Sequence, residues 1–186
     1  MIALVAVVSL VPTVARAAGE AARKRDHLTA MEADQVREAQ ILDKRMEVFI
    51  RAAERRLLVL TDPNAAADKQ VQKEMEKWGE LPKGSRTELF ADLAGILDEA
   101  ITNIDDVAAH DAENHLLPKA LRKLAVASAR FINQLAPMRE QAKSETEREA
   151  LEQALENAQA IIEAANKLPP EVKEKDKKEK AGKNKS

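Results

Sequence analysis

The chain has no cysteine and no tyrosine, and only one tryptophan and three phenylalanines among its 186 residues. Without cysteine there can be no disulfide framework, thiolate zinc site, thiol nucleophile, covalently attached c-type haem or lipid-modified cysteine. Because aromatic residues are so few, the core must be aliphatic. Only five glycines occur, which leaves few positions for the tight turns of β-hairpins.

The residues that are abundant favour helices. Alanine, leucine, glutamate, lysine and arginine dominate the sequence, and this mixture is typical of helices and depleted in sheets. The length suits one compact domain with appendages. The 30 basic and 32 acidic residues give a formal net charge of -2. This balance argues against a dedicated nucleic-acid-binding protein, whose domain is normally strongly basic.

The amino terminus has the order of a secretory signal peptide. Residues 2–11, IALVAVVSLV, form an apolar run too short to span a bilayer, and Pro12 and the A-x-A pattern of residues 15–17 follow. We therefore predict that residues 1–17 are a signal peptide, that the mature chain begins at Ala18, and that the protein is periplasmic or extracellular. The run is not preceded by lysine or arginine, and the alternative is a short buried helix or strand at the start of the domain.

Helical periodicity dominates the rest of the chain. Apolar residues recur at steps of three and four in five segments, and two of these segments follow capping-box patterns, Ser85 with Glu88 and Ser144 with Glu147. We expect residues 18–168 to form an all-α domain, an antiparallel bundle of about four long amphipathic helices and one short helix. The predicted long helices cover residues 25–60, 85–109, 118–141 and 144–168, and the short one covers residues 65–78.

The first predicted helix is unusually long. At 1.5 Å per residue, residues 25–60 would span about 50 Å. Such a helix would either overhang a shorter bundle or pair lengthwise as a coiled coil. A protein partner or self-association through this helix is therefore expected.

The carboxyl-terminal residues 169–186 are predicted to be a disordered tail. Pro169 and Pro170 end the last helix, and EVKEKDKKEKAGKNKS follows, with seven lysines, four acids and almost no apolar residue. Its positive charge could hold it weakly to an anionic envelope surface. The alternative is that the tail only increases solubility.

The stretch HDAENH, residues 110–115, contains two of the three histidines. On a continuous helix the candidate metal ligands form two i, i+4 pairs, Asp106 with His110 and Asp111 with His115. Each pair supplies two ligands, whereas transition metals usually take three or four. The interpretation that we favour is a corner between two helices, in which Asp111, Asn114 and His115 turn the chain, because Asp and Asn are common capping residues. We predict no cofactor.

No sequence pattern predicts an enzyme. There is no G-x-S-x-G elbow and no glycine-rich phosphate loop. Basic residues cluster at residues 23–25 and at Arg51, Arg55 and Arg56, but acids lie beside them. Such arginines more often cover the apolar flanks of a helix than bind phosphate, so a phosphate-binding basic patch is the weaker alternative.

The segment RDHLTAMEADQVREAQILDKRMEVFIRAAERRLLVL, residues 25–60, resembles the opening of uncharacterised exported helical proteins of bacteria. This resemblance implies a bacterial, exported origin, and it implies no activity and no site residues.

Together these observations predict a non-enzymatic exported helical protein that acts through protein–protein contacts. The alternative is a helical carrier of the cell envelope that holds a ligand or metal in its interior.

Overall fold

The structure, a computed structural model, describes residues 26–170. The predicted signal peptide and residues 171–186 of the predicted tail lie outside this range. The described chain is all-helical and contains no strand, which confirms the all-α part of the predicted fold class. None of its helices is long and apolar enough to cross a membrane.

The α-helices are α1 (Ala30–Glu38), α2 (Leu42–Thr61), α3 (Lys69–Trp78), α4 (Arg86–His110), α5 (Leu117–Leu135) and α6 (Glu145–Asn166), with short 3₁₀ helices at Ala65–Ala67 and Ala136–Gln141.

The hydrophobic core lies between α2, α4, α5 and α6. Helix α2 packs against α4 and α5, and α6 packs against the same two helices from the other side. Most of the buried core residues are aliphatic, and they surround Phe49, Phe90 and Phe131, all of which are buried. The core is therefore aliphatic, as the composition predicts, with each phenylalanine supplied by a different helix.

Two pairs of neighbouring helices run parallel. Arg86 at the start of α4 contacts Glu147 at the start of α6, and farther along both helices Asn157 donates a hydrogen bond to the Ala94 carbonyl. Helices α2 and α5 are also parallel. Glu47 contacts Lys123, and farther along both helices Glu54 contacts Arg130.

Helices α2 and α4 are antiparallel, because Arg45 contacts Asn103 while Arg56, farther along α2, approaches Asp92, nearer the start of α4. The antiparallel bundle that the sequence predicts is therefore not confirmed as an arrangement, since α4–α6 and α2–α5 are parallel pairs. Consecutive helices need not be neighbours. The turn after α4 places α5 beside α2, and α6 then returns to lie beside α4.

The prediction of one long first helix is also wrong. Thr29 begins α1 with a capping box that involves Glu32, and the helix ends at Ala39, whose ψ of 80° is not helical. Ile41 is extended and precedes α2. The interruption at residues 39–41 lets α1 fold back onto α2, where Glu32 reaches a buried arginine. A coiled coil about 50 Å long is thereby excluded for residues 30–61.

The remaining helix boundaries follow the sequence more closely. Ser85 and Glu88 form the full capping box that the sequence predicts. Ser144 caps α6 by accepting the Glu147 amide, but the Glu147 carboxylate accepts the Lys143 amide and not that of Ser144. The helix predicted to end at Gln141 becomes a 3₁₀ helix after Leu135, where Pro137 removes a backbone donor.

Candidate functional site

The HDAENH stretch is a corner between two helices. Helix α4 ends at His110, and α5 begins after the turn at residues 111–116. Asp111 accepts a hydrogen bond from the Asn114 side chain at 3.1 Å, and Asn114 in turn accepts the Leu116 amide at 2.9 Å. The predicted roles of Asp111 and Asn114 in turning the chain are therefore confirmed.

The candidate metal ligands do not form one cluster. His110 Nδ1 lies 2.7 Å from the Asp106 carbonyl oxygen and 3.4 Å from its carboxylate, and both side chains are largely exposed. Asp111 is engaged with Asn114, and His115 is exposed. Within residues 26–170 there is no group of three or more histidine, aspartate or glutamate side chains placed to hold a metal ion.

The arginines of α2 differ from the expectation that they cover the apolar flanks of a helix. Arg55 and Arg56 are 2% and 1% exposed, so both guanidinium groups are buried. Of Arg51, Arg55 and Arg56, only Arg51 is partly exposed, and it pairs with Glu54 and Glu74. A basic surface patch at Arg51, Arg55 and Arg56 is therefore excluded.

A buried carboxylate accounts for the burial of the two arginines. Both Glu32 oxygens lie 2.6 Å from Arg56 Nη1, and Glu32 Oε1 lies 2.9 Å from Arg55 Nε. Glu32 also accepts the Thr29 amide at 2.9 Å. Asp92 of α4 adds a second buried carboxylate, 3.9 Å from Arg56. We call Glu32, Arg55, Arg56 and Asp92 the buried charge network.

The network also satisfies backbone carbonyls. Arg55 donates to the carbonyls of Gly79 and Glu80, just after α3, and Arg56 donates to the His27 carbonyl at 2.6 Å. Burial lowers the pKa of the Arg55 guanidinium, and the charge of Glu32 opposes that shift. The network thus joins α1, α2 and α4. It also joins them to the segment before α1, at His27, and to the connection after α3.

An open groove lies beside this network, between α4 and α6. Its volume is about 780 Å³, and Asp92 lines it as well as belonging to the network. The floor consists of the small residues Ala91, Ala94, Gly95 and Ala150. We call this feature the α4–α6 groove. Its volume lies within the range of known ligand sites.

His27 closes one side of the groove. Its Nε2 lies 2.7 Å from Glu99 on α4, and its ring rests against Gly95. A Cβ atom at position 95 would lie 2.9 Å from the His27 ring, closer than real Cβ contacts. Glycine is therefore required there for this approach of the amino-terminal segment.

The groove is acidic. Four carboxylate residues line it, and no lysine or arginine occurs among the described residues in contact with it. The four are Glu88, Asp92, Asp98 and Glu99. Asp92 also belongs to the buried charge network, 3.9 Å from Arg56, so its charge is shared with that network.

The opposite face, formed by α2 and α5, is electrically balanced. Lys119 lies 2.8 Å from Asp43, and Lys123 lies 2.5 Å from Glu47. The hydrogen bond from Lys119 holds the pKa of Asp43 below its usual value, against the effect of burial. Val126 lies on this face and is 66% exposed. The excess of acid is thus a property of the α4–α6 groove and is not shared by the α2–α5 face.

Comparison with known proteins does not assign a function. No protein-family model, no curated protein and no solved structure matches this chain. The functional argument therefore rests on the geometry of the groove.

Proposed function

We propose that this chain is a non-enzymatic, exported helical protein that acts by binding another protein at the α4–α6 groove. The observation that supports it best is an elongated groove with a floor of small residues and an acidic rim. The proposed binding surface is on α4 and α6, and the long first helix that the sequence predicted for this role is interrupted between α1 and α2.

The shape of the groove favours a polypeptide over a compact ligand. Its lining follows α4 from Glu88 to Thr102, a distance of about 21 Å at 1.5 Å per residue. On α6 the lining residues Ala150, Gln153 and Asn157 recur at helical spacing. The groove therefore offers two parallel helix faces rather than an enclosed cavity.

The signal-like residues 1–17 support export, and we propose that the contact is made in the periplasm or outside the cell. The partner would then be an envelope or extracellular protein.

Photo-crosslinking in native cells tests the proposal. A benzophenone amino acid at Ala91, which is exposed on the groove floor, should give a crosslinked species heavier than the monomer. The same amino acid at Val126, on the balanced α2–α5 face, is the matched control and should not give that species. Absence of any crosslink at Ala91, or equal crosslinking at both positions, would contradict the proposal. A species with the mass of a dimer would identify the partner as a second copy.

A further inference from the structure

We infer that residues 62–84 form an arm that opens from α2 as one unit while the core of α2, α4, α5 and α6 stays folded, and that Arg55 holds this arm closed. The arm contains the 3₁₀ helix at Ala65–Ala67 and helix α3. Within the described chain, none of its residues lines the α4–α6 groove. The inference therefore goes beyond the proposed function and does not depend on it.

The arm lies outside the hydrophobic core. None of residues 62–84 belongs to the core of the described chain, and of these residues only Ala65 and Pro82 are buried. The apolar residues of α3 are half-buried, and they are Val71, Met75 and Trp78. Segments with few buried apolar contacts have the lowest free energies of local opening. Opening of the arm should therefore cost much less free energy than global unfolding.

Short-range hydrogen bonds shape the arm itself. Asp68 caps α3 by accepting the amides of Gln70 and Val71, and Asp62 accepts the Asn64 amide in the turn after α2. These bonds join residues two or three positions apart, so they do not tie the arm to the core. A helix of ten residues is only marginally stable on its own. Helix α3 should therefore lose its structure once the arm has left α2.

Arg55 holds the end of the arm against α2. Its Nη2 donates to the Gly79 carbonyl at 3.0 Å and to the Glu80 carbonyl at 2.5 Å, and the guanidinium is buried. Burial lowers the pKa of this group, so its charged form gains when water reaches it. Opening exchanges the two carbonyls for water and leaves the contact between Arg55 and Glu32 in place. The arm can thus be released without breaking that buried pair.

The arm also closes an apolar pocket. The pocket has a volume of about 320 Å³, and it is lined by Val59 of α2 together with Ala65, Met75 and Leu81 of the arm. Opening separates Val59 from the residues of the arm. The pocket therefore exists only while the arm is closed, and the arm acts as a lid over this apolar surface.

Gly79 fixes the closed position of the arm. Its φ of 73° and ψ of -176° form a conformation that glycine adopts readily and alanine does not. A Cβ atom there would also lie 2.8 Å from Met31 Sδ of α1. A substitution at this position therefore disturbs the contacts of the arm with Arg55 and α1 without changing a residue of the core.

Native-state hydrogen exchange of the full-length protein, followed by NMR, tests the inference. The amides of residues 73–79 should share one protection factor within about threefold, at least about a hundredfold below that of amides in the middle of α4. Protection equal to that of α4 would overturn the inference, because the arm would then open only with the core. Protection that declines gradually toward the ends of α3 would also overturn it, because the helix would then fray instead of opening as one unit.

A variant of the arm tests its independence from the core. Gly79→Ala should lower the protection of the α3 amides at least about tenfold further and leave that of α4 within about twofold. Glu76→Ala, at an exposed position on α3, is the matched control and should change neither by more than about twofold. Equal losses of protection in α3 and α4, or a Gly79→Ala protein that does not fold, would make the arm part of the cooperative core and overturn the inference.

Thiol labelling measures the opening independently, because the chain has no cysteine of its own. Ala65 is 1% exposed, whereas Ala66 of the same 3₁₀ helix is exposed. The thiol of Ala66→Cys should react with a disulfide reagent without protection. The thiol of Ala65→Cys should be slowed by the factor that slows exchange in α3, within about threefold. Labelling of Ala65→Cys only at the rate of global unfolding would contradict an opening of the arm.

Discussion

At the scale of single residues, Arg55 and Arg56 show what burying positive charge requires. Each guanidinium is almost fully removed from water and is compensated by Glu32 and by backbone carbonyls. Such a network is costly to desolvate, so it contributes little net stability relative to an apolar core of the same shape. The contacts of Glu32 with both arginines hold α1 in its position against α2.

Glu32→Gln should therefore destabilise the protein strongly. The substitution leaves two buried cations without their shared counter-charge, and removing one partner of a buried pair costs about 3–5 kcal/mol. Urea unfolding followed by circular dichroism measures the loss. Glu38→Gln, on the exposed end of the same helix, is the matched control and should change the free energy of unfolding by less than about 0.5 kcal/mol. Equal stability of the two variants would show that Glu32 is not the compensating group.

At the scale of helices, the starts of α4 and α6 are held together by one ion pair. Arg86 Nε lies 2.7 Å from Glu147, and Glu147 is buried although Arg86 is partly exposed. The hydrogen bond from Arg86 holds the pKa of Glu147 below its usual value, and the Lys143 amide acts in the same direction. The pair fixes the register of the two helices that form the groove.

The stability that this pair provides should depend on pH. A carboxylate whose pKa is lowered by folding stabilises the protein fully above its ordinary value of 4.5 and loses that effect as the pH falls through the folded value. Glu147→Gln should therefore be about 2 kcal/mol less stable than the parent at pH 7, and the difference should shrink below pH 4.5. Urea unfolding across this pH range is the measurement. Glu149→Gln, exposed on the same helix, should show no such pH-dependent difference, and a difference for Glu147→Gln that stays constant with pH would contradict the assignment.

Local sequence patterns predicted the helices better than their arrangement. The Ser85 capping box and the apolar stripe of α4 were predicted correctly, because each depends on residues only a few positions apart. The break at residues 39–41 was missed because the spacing of apolar residues stays periodic across it. A signal was nevertheless present, since Thr29 and Glu32 have the spacing of a capping box.

The groove could not be predicted from sequence, because its residues meet only in the folded chain. His27 and Glu99, which both line the groove, are 72 positions apart in the chain, and further lining residues come from α6. The corner at HDAENH was predictable, since the capping preferences of Asp111 and Asn114 act within a few residues.

At the scale of the whole molecule, the uneven placement of charge matters more than the net value of -2. The α2–α5 face pairs its lysines with acids, whereas the α4–α6 groove concentrates carboxylates. The acidic residues are therefore distributed unevenly over a protein whose total charge is nearly balanced.

The predicted export concerns the whole chain and can be tested directly. Fractionation of native cells should place the protein in the periplasm or the medium, and mass spectrometry should find a mature chain that begins at Ala18. Ala17→Leu replaces a small residue that the cleavage site requires, so the precursor should accumulate. A full-length chain retained in the cytosol would contradict the prediction.

The parallel course of α4 and α6 gives the groove a polarity along its length. Each helix carries a macrodipole equivalent to about half a positive charge at its amino terminus and half a negative charge at its carboxyl terminus. Because both amino termini lie at the same end, marked by the contact between Arg86 and Glu147, the two dipoles add. The two ends of the groove therefore differ electrostatically, because the positive ends of both dipoles lie beside the contact between Arg86 and Glu147.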